Sequence, residues 1–216
     1  RFDEGYGLNN EALDTLREKG VKLVVTVDCG VRSIEEALHA RDLGLDLIIT
    51  DHHHPGEQLP PALAVINPKQ EGDPYPEKNL AGVGIAYKLG LALLNELRRT
   101  GDQNAIAFDE TLLLDLVAIG TVADLAPLTA ENRSLVRRGL KAIRQPRRQG
   151  LQALIGVCGL LPRRIQATDI GFVLGPRLNA AGRLDSALAS FDLLTTKRIK
   201  EAGYLAQQLD NQNRER

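Results

Sequence analysis

Asp51-His52-His53-His54 is the densest group of metal-capable side chains in the 216-residue chain, and it holds three of the four histidines. It directly follows an apolar run at 47–50 (LIIT) and precedes Pro55-Gly56, a turn signal. Asp28 closes an earlier apolar run at 22–27 (KLVVTV) in the same way. Parallel sheets present ligands at the carboxyl ends of their strands, so two carboxylates and a group of imidazoles are expected at one sheet edge. Three chemistries fit such a group: a mixed Asp and His metal site, a proton-transfer site without metal, and a polar loop. The metal site is the sharpest of them. Carboxylate and imidazole without thiolate suit Mn²⁺, Mg²⁺ or Fe²⁺ better than structural zinc. Cys29, next to Asp28, reads as small core packing. Asp124, in 120–127 (GTVADLAP), follows an apolar helical run and taken alone is a helix cap or a surface residue.

The elements that must position these residues alternate over the first third. A helix is expected over 11–19, capped by Asn9 or Asn10 and stopped at Gly20. The strand at 22–27 follows, then a helix opened by a capping box of Ser33 and Glu36 and stopped at Gly44. The strand at 47–50 and a further apolar stretch at 62–66 complete the pattern. Unalternating apolar runs joined through helices predict an α/β fold, a parallel sheet flanked by helices. From Gly82 onward the pattern is helical, over 82–97, 111–119 and 132–143, with 152–155 part of a fourth helix. Residues 175–182 are expected to interrupt it as a connection, and helices over 186–194 and 198–214 close the chain. The last is polar on most faces and reads as a linker helix.

Of the residues, 43% are hydrophobic and 25% charged, which excludes disorder as the default. No apolar run approaches the ~20 residues of a membrane span, and no export signal opens the chain. Two cysteines make no disulfide framework, so a reduced, cytoplasmic compartment and no membrane partner are expected. The net charge of -1 speaks against nucleic acid only until the chain is divided. Residues 1–131 hold 22 acids and 11 bases, whereas 132–216 hold 6 acids and 16 bases. Residues 132–168 contain nine bases and no acid. Such a window is either a solvated helical face or a surface for a phosphate polymer. Aromatics are only 4%, so no base-stacking platform is evident.

Six segments in series resemble the DHH phosphoesterase superfamily, and most closely its single-strand-specific 5′→3′ DNA exonucleases of the RecJ type. They are 1–8 (RFDEGYGL), 25–30 (VTVDCG), 49–53 (ITDHH), 80–89 (LAGVGIAYKL), 120–125 (GTVADL) and 175–184 (GPRLNAAGRL). The resemblance implies a carboxylate at Asp28 bridging two metal ions, Mn²⁺ or Mg²⁺. It implies a metal ligand at His52, with Asp51 its direct or supporting partner, and a further ligand at Asp124. His53 is implied to contact the scissile phosphate and stabilise its transition state. Two metals suit phosphodiester hydrolysis because they activate water and neutralise the leaving oxygen.

Arg177, Asn179 and Arg183 are implied to lie near the substrate strand, the bland reading being a helix-terminus packing motif. Gly82 and Gly84 offer amides to an anion, or else close helix packing. A catalytic domain over 1–195 and the start of a linker helix over 196–216 are expected. The family's first Asp-x-Asp-x-Asp-Gly motif and its later substrate-binding domain are not among these residues, so the 216 residues by themselves are expected to have little nuclease activity. The function implied is a metal-dependent exonuclease on single-stranded DNA in repair and recombination, working as a monomer with a helicase and a single-strand-binding protein. The alternatives are a phosphodiesterase for short RNA or cyclic dinucleotides, or a pyrophosphatase, and a non-catalytic replication scaffold.

Overall fold

The computed structural model describes residues 7–184 and 187–215, with side chains at 181–184 outside that description. The described chain divides into two compact units, one up to Phe108 and one from Asp109.

In the first unit, helix α1 (Asn10–Glu18) begins where Asn9 accepts the Ala12 amide at 2.8 Å, and Gly20 ends it in the left-handed region. Strand β1 (Leu23–Val27), helix α2 (Ile34–Asp42), strand β2 (Asp46–Thr50) and strand β3 (Ala64–Ile66) follow. The sheet order is β1-β2-β3, all parallel, as the unalternating runs predicted. Leu13, Ala37, Ala40, Leu45, Leu47 and Ile49 form the core beneath it. Among the described residues β1 pairs only with β2, and Leu23, Val25 and Val27 stay exposed. The capping box predicted at Ser33 does not form. Ser33 occupies the cap position but its side chain bonds no amide, its backbone lying at φ -84°, ψ 69° rather than in the extended cap conformation. Helices α3 (Gly82–Arg99) and α4 (Gln103–Ala107) complete the unit.

The second unit is helical: a 3₁₀ turn at Glu110–Leu113, then α5 (Leu114–Ala123), α6 (Ala130–Ile143), α7 (Gln149–Val157) and a 3₁₀ turn at Pro162–Arg164. The short α8 (Ala167–Asp169), a π turn at Ile170–Leu174, α9 (Gly175–Leu184), α10 (Leu188–Thr195) and α11 (Ile199–Arg214) follow. Its core joins Ala118, Val136, Ile143, Leu151, Leu174 and Leu193. Glycines set the closest approaches. A Cβ at Gly139 would stand 2.2 Å from the Leu114 carbonyl, so α6 lies tight on α5. The helix expected as a linker, α11, also lays Ala202, Ala206 and Leu209 into buried positions.

The connection expected at 175–182 is a helix. Gly175 has ordinary helical angles, and a Cβ there would stand 3.2 Å from the Ala123 Cβ, so this glycine serves packing rather than a turn. Pro176 follows directly on the π turn, within a helical run that is continuous from Ala167 to Leu184, and a π turn beside it is where such a run takes up a proline. No helix among the described residues is long and apolar enough to cross a membrane.

Candidate metal centre

The register pairs Val27 with Thr50, so Asp28 and Asp51 leave adjacent strands at the same end. The ladder continues one step beyond the strands: the Asp28 amide donates to the Thr50 carbonyl at 2.9 Å, and the Asp51 amide to Ile66 at 3.1 Å. Two buried threonines tie the strand ends together. Thr50 donates its hydroxyl to the Thr26 carbonyl at 2.7 Å, and Thr26 donates to the Cys29 carbonyl at 2.8 Å. Asp28 then turns at φ 65°, a left-handed conformation uncommon for a residue with a Cβ and tolerated best by Asn and Asp. Such strain is held by the surrounding structure and concentrates at functional sites.

Asp28, His52 and His53 each offer one ligand atom, and these atoms lie within 4.8 Å of one another. His52 Nε2 stands 3.0 Å from Asp28 Oδ1, and the two imidazole rings are 4.5 Å apart. Asp28 Oδ1 is buried without an aligned hydrogen-bond donor among the described residues. A hard oxygen held in this state beside two imidazoles fits a divalent cation of the manganese or magnesium kind.

Asp51 is built differently. It is 2% exposed, and both its oxygens are occupied. Oδ2 accepts the Val31 amide at 3.0 Å. Oδ1 accepts the amides of His52 and His53 at 2.8 and 3.2 Å and meets His53 Nδ1 at 2.6 Å. Burial alone would push its carboxyl up; the amide of Val31, the His53 ring and the two histidine amides outweigh burial and hold it below the ordinary range. The carboxylate therefore orients the two histidines and leaves Nε2 as the ring nitrogen of His53 open to substrate or ion.

Asn67, which the sequence did not single out, is also 1% exposed and donates its amide to the His53 carbonyl at 2.8 Å. The Asn67-Pro68 dipeptide after an apolar stretch was its only signal. Cys29 is half-buried rather than core. Burial pushes its thiol up, and the charges of Asp51 and Asp28 add to that against a lowering bond from the Val27 backbone, so the thiol stays protonated. With Gly30, Arg32, Asp51 and His53 it lines a cleft of about 430 Å³. His54 is exposed and offers its carbonyl to Arg32, while His39 pairs with Asp14 on α1.

Gly82, the first residue of α3, is explained by Asp28. A Cβ there would stand 2.4 Å from Asp28 Oδ1 and 2.7 Å from its Cβ. Gly82→Ala is therefore expected to displace the carboxylate and weaken Mn²⁺ binding by roughly 10–100-fold, the range for lost support of a ligand. A Mn²⁺ titration followed by calorimetry reads this directly; an unchanged affinity would show that Asp28 can shift at no cost. Gly84 faces Leu80 instead, with 3.2 Å between a built Cβ and that side chain.

The remaining expected residues belong to the second unit. Asp124 is the C-cap of α5, followed by Leu125 at φ 57° and 87% exposed, a leucine where glycine is usual. Arg177 donates from Nε to the buried Asp210 at 2.8 Å and from Nη1 to the Val173 carbonyl at 2.9 Å. Asn179 is exposed on α9, and the Arg183 side chain lies outside the described residues.

A parallel sheet delivering Asp-His-His from its strand ends defines a phosphoesterase-like metal site, and the chain belongs to the DHH family: the model described as "DHH family, N-terminal domain" matches residues 4–121. Among its relatives, the single-stranded-DNA-specific exonuclease RecJ of Escherichia coli (strain K12) is 48% identical over 220 residues, covering 100% of this chain and 38% of that protein. RecJ of Bacillus subtilis (strain 168) is 47% identical, covering 100% of this chain and 26% of that protein. The crystal structure of exonuclease RecJ bound to manganese superposes with a TM-score of 0.84 at 35% identity, covering 100% of this chain and 52% of that one. The chain thus spans well under half the length of these two curated relatives.

Proposed function

We propose that the protein is a metal-dependent 5′→3′ exonuclease that hydrolyses phosphodiester bonds of single-stranded DNA in repair and recombination. The observation that carries this reading is the Asp28, His52 and His53 cluster, three ligand atoms within 4.8 Å, gathered at the ends of parallel strands. Its resemblance to proteins named as single-stranded-DNA-specific exonucleases, one of them crystallised with manganese, supports the substrate and the ion. In this reading Asp28 and His52 hold Mn²⁺ or Mg²⁺, with Asp124 a further ligand and two ions in all. The ions, when bound, supply an activated water and neutralise charge on the phosphoryl group. Asp51 positions both histidines through the bonds described above. His53, anchored through Nδ1, presents Nε2 to the scissile phosphate. Arg177, Asn179, Arg183, Gly82 and Gly84 belong to the substrate side. The catalytic domain spans 1–195 and residues 196–216 serve as a linker helix, in a monomeric cytoplasmic enzyme that works with a helicase and a single-strand-binding protein.

The test is hydrolysis by the complete protein of end-labelled single strands, with duplex DNA and a cyclic dinucleotide alongside. Mn²⁺-dependent release from the 5′ end of single strands is expected. Cleavage of the cyclic dinucleotide alone would overturn the substrate assignment. Ion binding has a readout of its own. At about 100 times its Kd, Mn²⁺ is expected to stabilise the protein by about 2.7 kcal/mol, and Asp28→Ala to remove most of that gain in a thermal melt.

A further inference from the structure

The helical unit carries a charged feature that the metal centre does not use. Arg144, Arg163 and Arg164, with Pro146, Leu161 and Pro162, line a cavity of about 510 Å³. Arg144 is held in place, donating from Nε to the Ile165 carbonyl at 3.0 Å, and Ile165 is itself buried in the core. Arg163 and Arg164 sit on the 3₁₀ turn immediately before that anchor, and both are exposed. Among the described residues none of the three has a carboxylate partner. Three arginines line one cavity without counter-charge, a positive field that an anionic ligand would neutralise.

The same charge extends along α6. Arg133, Arg137 and Lys141 are exposed on this helix and Arg144 is its C-cap. At 100° per residue the four fall within an arc of about 80°, and at 1.5 Å rise they span about 16 Å. A single phosphate ion needs one cradle, whereas a basic row of this length ending in a cavity matches a chain of phosphates. Arginine forks suit phosphodiester oxygens, and Leu161, Pro146 and Pro162 offer the sugar an apolar surface.

We propose that this face of the helical unit, from Arg133 along α6 into the Arg144, Arg163 and Arg164 cavity, binds the backbone of single-stranded DNA through phosphate contacts. The contacts are to phosphate and sugar, so the face holds any sequence. It rests on the nuclease reading for the identity of the strand, and it assigns a hold on that strand to residues outside the metal centre.

The experiment is fluorescence anisotropy of a labelled oligothymidine with the complete protein in EDTA, so that binding is read without cleavage. Two variants, Arg163→Glu with Arg164→Glu and Arg137→Glu with Lys141→Glu, alter only exposed side chains, and circular dichroism confirms their fold. Each is expected to weaken binding about 25-fold at about 0.1 M salt and to lower the slope of log K against log salt by about 1.4, the value for two lost single-strand contacts. The corresponding Lys variants at Arg163 and Arg164 are expected to keep most of that slope. Unchanged affinity and slope in both reversals would overturn the proposal while leaving the nuclease reading intact. Loss confined to an acidic peptide probe, with DNA binding unchanged, would reassign the face to a protein partner. A protein that binds the strand normally but hydrolyses none of it with Mn²⁺ would overturn the nuclease reading and leave this one standing.

Discussion

His53→Ala in the complete protein is expected to lower turnover on single-stranded DNA by roughly 10²–10³-fold, the usual cost of one lost donor to a developing anion. Binding of the strand should change far less. The reason lies in how the ring is held. Asp51 Oδ1 meets Nδ1 at 2.6 Å, and Asn67 fixes the backbone of the same residue by donating to its carbonyl at 2.8 Å. A ring fixed at one nitrogen and at its main chain presents the other nitrogen without further ordering, which is the preorganisation that transition-state stabilisation needs. Ground-state binding is spread over many phosphate contacts, so one imidazole contributes little to it. Anisotropy in EDTA gives the binding and timed hydrolysis with Mn²⁺ gives the turnover. Equal loss in both would show that His53 shapes the loop rather than the reaction. His53→Asn separates these further, because it keeps a hydrogen bond to Asp51 but not an imidazole.

Arg148→Ala is expected to cost about 3 kcal/mol of stability, the low end for an ion pair broken from one side, because the pair is part-buried. Arg148 reaches Asp115 at 3.0 Å through Nε, the Leu112 carbonyl at 3.0 Å through Nη2 and the Leu194 carbonyl at 3.5 Å through Nη1. It thus clasps the start of α5 to the end of α10. Asp115 is 5% exposed, and without Arg148 its charge is left buried with only the Leu116 amide as donor. Against the 5–15 kcal/mol that separates folded from unfolded domains, this is a large share. Beside it, a Cβ at Gly150 would fall 1.7 Å from the Leu193 carbonyl, so α7 cannot shift toward α10 to fill the space. The denaturation midpoint should fall accordingly. Arg148→Lys should recover only part of it, since one ammonium cannot serve three acceptors in the geometry of the guanidinium fork. A loss below about 1 kcal/mol would show that water replaces the clasp.

These outcomes turn on features that the sequence carried to different degrees. Asp28, Asp51, His52 and His53 were legible because each ends or follows an apolar run, and strand ends in a parallel sheet converge by geometry alone. The parallel sheet itself was legible because unalternating apolar runs joined through helices fit parallel strands, although burial on both faces does not hold for β1, whose Leu23, Val25 and Val27 are exposed among the described residues. Residues 175–182 were not, because glycine and proline break helices by local propensity. Here the packing of Gly175 against Ala123 and the π turn directly before Pro176 override that rule. Ser33 failed in the opposite direction, a good cap by type whose backbone angles, set by the turn from Gly30, prevent the bond.

By itself the sequence determined which side chains could do chemistry, on which kind of element they stand and to which family the pattern belongs. These are properties of short spans, where period and residue type decide. Tertiary structure alone decided what each group touches. It spends both oxygens of Asp51 on amides, one of them twenty residues away at Val31. It seats Asp28 where Gly82 has no Cβ, pairs Arg177 with Asp210, and brings Arg144 beside Arg163 and Arg164. A carboxylate free to meet a metal and one consumed by backbone amides look alike in a sequence. The partners that distinguish them are separated along the chain and meet only when the strands and helices pack.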